Sequence, residues 1–207
     1  TGLCRRRIPT GHANLGESKF PGPSLYLFRQ LVATELSLVL HAVDRHHPIV
    51  ESATLAWQDE AATQAFAHHW ATQPALANAF VALHGDLGAG KTTLVRHLLQ
   101  ALGVTGRIKS PTYAVVEPYE LDALNIWHFD FYRFNDPREW EEAGFRDIFA
   151  SPGLKLAEWP EKAAGVLPAA DVDLHIRTLD DSSRSVTLQA HTAAGQALLQ
   201  GLPGTTT

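Results

Sequence analysis

The sequence predicts an α/β fold: a mixed, mostly parallel sheet flanked by helices and extended by a C-terminal antiparallel hairpin. Three observations carry that expectation. Over residues 79–100 an apolar run, a glycine-rich loop and a segment of helical spacing follow one another. Two further apolar runs each end in a carboxylate, at Asp130 and Glu158. Two alternating stretches then flank a turn of Asp180-Asp181-Ser182-Ser183, the pattern of a hairpin with one buried face. With 207 residues, 45% of them hydrophobic and 19% charged, the chain suits one domain with a proper core.

Residues 1–50 are expected to form a poorly ordered N-terminal extension. Arg5-Arg6-Arg7 followed by Gly11, Gly16, Pro21, Gly22 and Pro23 is basic and rich in turns, with little to bury. Residues 26–43 have the spacing of one amphipathic helix. A basic start before an apolar stretch also suits a targeting peptide, although no small-residue cleavage site follows it. The chain holds no methionine, even at position 1, and folding patterns begin only at Glu51. The favoured expectation is that residues 1–50 are upstream sequence read in frame, with translation starting near Val50. Mass spectrometry of the natively expressed protein tests this, and an intact N-terminus at Thr1 excludes it.

A domain is expected over residues 51–192. Residues 53–57 read as a strand. Asp59 then makes a helix N-cap with Glu60 in the first turn, and Ala62, Phe66 and Trp70 at i, i+4 and i+8 form an apolar stripe for the sheet. His68-His69 lies on that helix and His46-His47 upstream; adjacent side chains point in different directions, so neither pair offers a chelating site. Residues 79–84 read as a buried strand, and Gly103 ends the helix that follows the glycine loop. Pro111 forces Ser110 out of the α region, so residues 109–113 make an extended loop carrying two hydroxyls, Ser110 and Thr112.

Residues 114–116 and 124–129 read as two strands about a turn at residues 121–123. Asp136-Pro137-Arg138-Glu139 combines a cap, a proline at N1 and a glutamate at N3, and Gly144 closes that helix. Its Glu139, Glu141 and Glu142 form an acidic, solvated face that is also able to meet a basic partner. Ser151-Pro152-Gly153 marks a turn before a strand at residues 154–157, which leads through Glu158 into a proline-started helix. Residues 172–177 and 185–190 make the hairpin strands. Residues 193–207 are expected as a short helix at 193–199 and a mobile tail.

The chemistry gathers on Gly85-Asp86-Leu87-Gly88-Ala89-Gly90-Lys91-Thr92, which fits G-x-x-x-x-G-K-[ST]. Backbone N–H groups of such a loop wrap phosphates, the lysine reaches the outer ones and the last hydroxyl holds magnesium. Thr93 continues into a helix whose N-terminus adds unpaired N–H groups and the positive end of its dipole. A plain glycine turn with a surface lysine is the alternative, and the strand and helix on either side disfavour it. Magnesium takes hard oxygen ligands, so Asp130 at its strand end is the leading candidate to act with Thr92. Glu158 occupies the same kind of position and suits orienting or deprotonating a water; a surface glutamate before a proline is the competing reading. A hydroxyl that follows the terminal phosphate as a switch and an ordinary Ser-Pro turn fit Ser110-Pro111-Thr112 equally.

Composition sets further bounds. A net charge of −5 and an isoelectric point near 6.1 argue against binding nucleic acid by blanket phosphate neutralisation. The single cysteine, Cys4, excludes an intramolecular disulfide framework or a cysteine-rich zinc site, and a reducing cytoplasm is the simplest setting. Arg29 and Glu35 interrupt the most apolar N-terminal part, so no run has the length of a membrane span.

Taken in order, Gly85-Asp86-Leu87-Gly88-Ala89-Gly90-Lys91-Thr92-Thr93-Leu94, Ser110-Pro111-Thr112-Tyr113, His128-Phe129-Asp130-Phe131-Tyr132-Arg133 and Glu158-Trp159-Pro160-Glu161 resemble the bacterial TsaE (YjeE) family. The resemblance covers roughly residues 51–190 and leaves out the first fifty. It implies a P-loop NTPase fold, with ATP and Mg2+ as ligands. It also implies a role in making threonylcarbamoyladenosine at position 37 of tRNAs, in which ATP hydrolysis supports repeated turnover by a TsaB–TsaD heterodimer. Carried over by motif, Lys91 contacts the outer phosphates, Thr92 and Asp130 organise magnesium, Thr112 lies in a switch-like loop, and Glu158 lies close to metal and attacking water. Trp159 belongs to the same motif and borders the nucleotide site. Any contact with tRNA is expected to be indirect, through the complex, and no membrane contact is expected.

A P-loop small-molecule kinase is the alternative; it needs an acceptor pocket and commonly an arginine-bearing lid, and Arg133, Arg138 and Arg146 supply positive charge without a clear lid segment. A GTPase is disfavoured because no N-K-x-D tetrad follows the loop. A non-catalytic, nucleotide-dependent binding module differs from both in showing no ATP turnover with its partner.

Overall fold

The computed structural model describes residues 48–134, 136, 140, 143–180 and 182–202. Seven strands form one sheet in the order β1-β7-β6-β2-β5-β4-β3. They are β1 (Glu51–Trp57), β2 (Phe80–His84), β3 (Val116–Leu121), β4 (Leu124–Asp130), β5 (Leu154–Glu158), β6 (Val172–Thr178) and β7 (Arg184–Ala190). The helices are α1 (Glu60–Ala71), α2 (Lys91–Ala101), α3 (Phe145–Ala150) and α4 (Ala193–Leu199).

The sheet is mixed, with a parallel centre of β6, β2, β5 and β4. The expected predominance of parallel pairing stops there, because β3–β4, β6–β7 and β1–β7 are antiparallel. The reason lies in the connections: Asp122-Ala123 joins β3 to β4 in two residues, which permits only an antiparallel partner. The C-terminal hairpin forms as expected, and β1 closes its outer side with Leu55 opposite Val186.

One face of the sheet is covered by α1, α2 and α4. Asp59 caps α1 as expected, its Oδ1 accepting from the Ala62 N–H at 2.9 Å. Phe66 and Trp70 from the expected stripe are fully buried, with ring centroids 4.7 Å apart, and Ala62 packs at their edge. Trp70 Nε1 donates to the Leu198 carbonyl of α4 at 3.0 Å, so one side chain ties the first helix to the last. Trp70→Ala is expected to cost about 3–5 kcal/mol, because it opens a cavity and removes that buried donor. Urea unfolding checks the value; a loss well under 1 kcal/mol would mean the site collapses without penalty. The opposite face carries an aromatic cluster of Phe80, Phe129, Phe131, Trp140, Phe145 and Phe149.

Three local expectations need correction. β3 runs over Val116–Leu121 rather than residues 114–116. Val115 has a φ of +66° and donates to the Pro111 carbonyl at 2.7 Å, which places it and Ala114 in a turn. Pro118 sits inside β3 without penalty because this is an edge strand. Leu202, expected in a mobile tail, is buried in the core. Finally α3 exists although no helix was expected there. The N-terminal extension up to residue 47, most of the helix expected at 136–143 with its acidic face, and residues 203–207 lie outside the described residues.

Candidate functional site

The glycine loop leaves β2 after His84 and enters α2 at Lys91. Gly85, Gly88 and Gly90 have φ of +140°, +81° and +115°, which side chains resist. Gly85 is also sterically fixed, since a Cβ there would lie 2.4 Å from the Ile176 carbonyl oxygen of β6. Lys91, at the first position of α2, is only 4% exposed. Its Nζ donates to the Gly85 and Asp86 carbonyls and lies 3.8 Å above the Trp159 ring. Burial lowers the Lys91 pKa, and the Glu158, Glu161 and Asp130 carboxylates act against that shift.

The two strand-end carboxylates meet through sheet register: Asp130 at the end of β4 pairs with Glu158 at the end of β5. Both are nearly inaccessible. Asp130 Oδ2 accepts from Ser110 and, at 2.7 Å, from Thr112; its Oδ1 accepts from the Tyr132 N–H at 2.9 Å. The Thr92 hydroxyl lies 2.9 Å from each oxygen of Glu158 and shares its one proton between them. Glu158 Oε1 also lies 2.9 Å from His128 Nε2. Trp159 follows in the left-handed region, with φ +58°, and its ring meets Tyr132 at 5.0 Å.

A cleft of about 290 Å³ is lined by Leu87, Gly88, Gly90, Lys91, Thr92, Thr93, Thr112, Asp130, Glu158 and Trp159 of the sequence-derived site, and by Ser110 and Tyr132 besides. Gly85, Asp86 and Ala89 do not line it. Gly85 and Asp86 serve through the carbonyls that hold Lys91, and Ala89 is buried with its carbonyl accepting from Arg184 Nε at 2.9 Å. A second cavity of about 310 Å³ shares Gly88, Gly90 and Thr93 and is walled by Trp57, Glu60 and Arg184. His128 was not among the site residues; its place two residues before Asp130 on one strand face was the signal available. Ser110 was visible as a loop hydroxyl without a partner to assign it.

A charged cluster lies beside the start of the loop. His84 Nε2 is 3.0 Å from Asp173 Oδ1, His84 Nδ1 is 3.6 Å from Glu161 Oε2, and His191 Nε2 is 2.9 Å from Asp173 Oδ2. The His175 ring stacks on His84 at 4.3 Å. Burial disfavours the His84 cation, but the Asp173 and Glu161 carboxylates outweigh it and raise its pKa from 6.5 to about 9. The nearby His84 cation lowers Glu161, and Asp173 is lowered by His84 and His191 against its own burial.

A raised histidine stabilises the fold fully below its unfolded value of 6.5 and loses that contribution as pH rises through about 9. The lowered carboxylates contribute above their ordinary values of 3.8 and 4.5 and lose it on acidification. All three therefore act together between about pH 4.5 and 6.5. The melting difference between wild type and His84→Gln is expected to be largest in that window and to shrink as pH rises through about 9. Melts across pH check this, and a constant difference would rule it out.

Among the described residues no helix is long and apolar enough to cross a membrane. A family model described as "Threonylcarbamoyl adenosine biosynthesis protein TsaE" matches residues 57–186. The chain is 48% identical over 119 residues to the tRNA threonylcarbamoyladenosine biosynthesis protein TsaE of Haemophilus influenzae, covering 58% of this chain and 75% of that protein. It is 35% identical over 108 residues to the TsaE protein of Bacillus subtilis, covering 52% and 67%. The crystal structure of YdiB from Bacillus subtilis superposes with a TM-score of 0.60 at 26% identity, covering 75% of this chain and 96% of that one. The matched span holds the glycine loop, both strand-end carboxylates and the strands that carry them, and the chain belongs to the TsaE family.

Proposed function

We propose that this protein is a magnesium-dependent ATPase of the P-loop NTPase fold, acting in the cytoplasm with a TsaB–TsaD pair to support threonylcarbamoyladenosine formation at position 37 of tRNA. One observation carries the reading: a buried lysine, the hydroxyls of Thr92 and Thr112 and two buried carboxylates, drawn from four segments of the chain, converge on one glycine loop. The donor set fits the ligands, since Thr92, Asp130 and Glu158 offer the hard oxygens that magnesium prefers. The three left-handed glycines leave the loop without side chains where phosphates would approach. The family's name supplies the pathway.

In this reading Lys91 leaves the Gly85 and Asp86 carbonyls to bind the outer phosphates. Thr92 and Asp130 hold the metal, and Thr112 follows the terminal phosphate. Bound magnesium would offset charge that builds on the phosphate oxygens. Glu158 orients a water whose oxygen attacks the terminal phosphorus as the bond to the bridging oxygen breaks, and it accepts the water's proton. Trp159 and Tyr132 wall the cleft against bulk water, and the neighbouring cavity gives the base the Trp57 surface. Contact with tRNA is indirect, in keeping with the net charge of −5.

Co-purification with TsaB and TsaD, followed by ATPase and tRNA-modification assays, tests the reading. The expected result is slow hydrolysis alone and faster hydrolysis in the assembly. Protein that neither binds ATP nor associates with the pair would overturn it.

A further inference from the structure

His128 has no role in the hydrolysis outlined above, yet it is the most deeply buried ionisable side chain beside the site, with no accessible surface. It lies on β4 two residues before Asp130, on the same sheet face, and opposite Leu156 of β5. Glu158, two residues beyond Leu156, turns the same face. The imidazole therefore stands diagonally behind the Glu158 carboxylate, with Nε2 at 2.9 Å from Oε1.

The other ring nitrogen explains why a histidine is informative here. Among the described residues, His128 Nδ1 is buried with no hydrogen-bond partner. A buried polar atom left unmatched costs stability, and an apolar side chain of similar size would avoid that cost. Among the described residues, the contact to Glu158 is the side-chain hydrogen bond that offsets it. A carboxylate can only accept, so Nε2 carries a proton and donates it to Glu158.

The Thr92 hydroxyl carries one proton and shares it between Oε1 and Oε2. Oε1 alone also accepts from His128. Oε2 therefore keeps the greater capacity for a further proton donor.

We propose that His128 is a positioning residue: its Nε2–H clamps Glu158 Oε1 and fixes the rotamer that presents Oε2 to the attacking water. This rests on the proposed role of Glu158 in hydrolysis. His128 itself touches neither nucleotide nor water.

The test uses the full chain with TsaB and TsaD and three variants at one position. A glutamine amide nitrogen reaches about where Nε2 lies, whereas an asparagine nitrogen stops about where Nδ1 lies. His128→Gln is expected to retain kcat near wild type. His128→Asn and His128→Leu are expected to lose about 10- to 100-fold in kcat, with KM for ATP and nucleotide affinity unchanged. A second readout needs no nucleotide: in melts of the ligand-free chain, the losses from His128→Leu and Glu158→Ala are expected to be non-additive, because each variant removes the same bond.

If His128→Leu fails to fold, the comparison of glutamine with asparagine still decides. A folded asparagine variant that hydrolyses ATP like wild type would overturn the proposal, as would equal losses for asparagine and glutamine, or additive melting losses. If Glu158→Ala itself hydrolyses normally in the assembly, the proposed catalytic role of Glu158 fails instead, and the melting cycle still reports on the clamp.

Discussion

Glu158→Ala is expected to slow ATP hydrolysis in the TsaB–TsaD assembly by about 10²- to 10⁴-fold while leaving ATP binding nearly intact. The carboxylate is 2% exposed, lines the cleft and is bonded by the side chains of Thr92 and His128. Its removal therefore affects the reacting water more than the bound nucleotide. The alanine also strips His128 and Thr92 of their common acceptor, so the variant's melting temperature must be read alongside its rate. Glu158→Gln separates the two effects, because an amide oxygen still accepts those bonds but takes no proton. Normal turnover by either folded variant would remove Glu158 from the reaction.

Lys91→Ala is expected to weaken ATP binding by about 10- to 100-fold, the effect of losing charge-assisted bonds to the outer phosphates. In the described state the ammonium is occupied by two carbonyls of its own loop and by the Trp159 ring. On the proposed reading, nucleotide binding exchanges those contacts for phosphate oxygens. Because its pKa is lowered by burial, an incoming polyanion also favours its charged form. Calorimetric titration with ATP and magnesium measures the loss. Unchanged affinity would mean that the lysine serves the loop's shape alone.

What the sequence made legible was local. The run from Phe80 to His84, the glycine loop and the start of α1 declare themselves through neighbours in the chain, as an apolar block, a positive-φ requirement and a capping carboxylate. The strand-end positions of Asp130 and Glu158 were readable for the same reason. Strand order was not, because pairing β2 with both β5 and β6 depends on segments more than seventy residues apart. β3 was misread because its Glu117, Pro118 and Glu120 look like a loop, and only the edge position makes them acceptable. The contacts of Thr112 and Ser110 with Asp130, and of His128 with Glu158, join residues from different elements. No spacing rule connects them.

The pairing of Asp130 with Glu158 across β4 and β5 has a bearing on how such proteins diversify. Neighbouring strands lie about 4.8 Å apart whatever joins them. Sheet register, not the length of the connection over residues 131–153, therefore sets the spacing of the two strand ends. The connection adds one tie of its own at its start, where the Phe131 N–H donates to the Glu158 carbonyl at 3.0 Å. A change of length beyond that point leaves the spacing of the two carboxylates to the sheet.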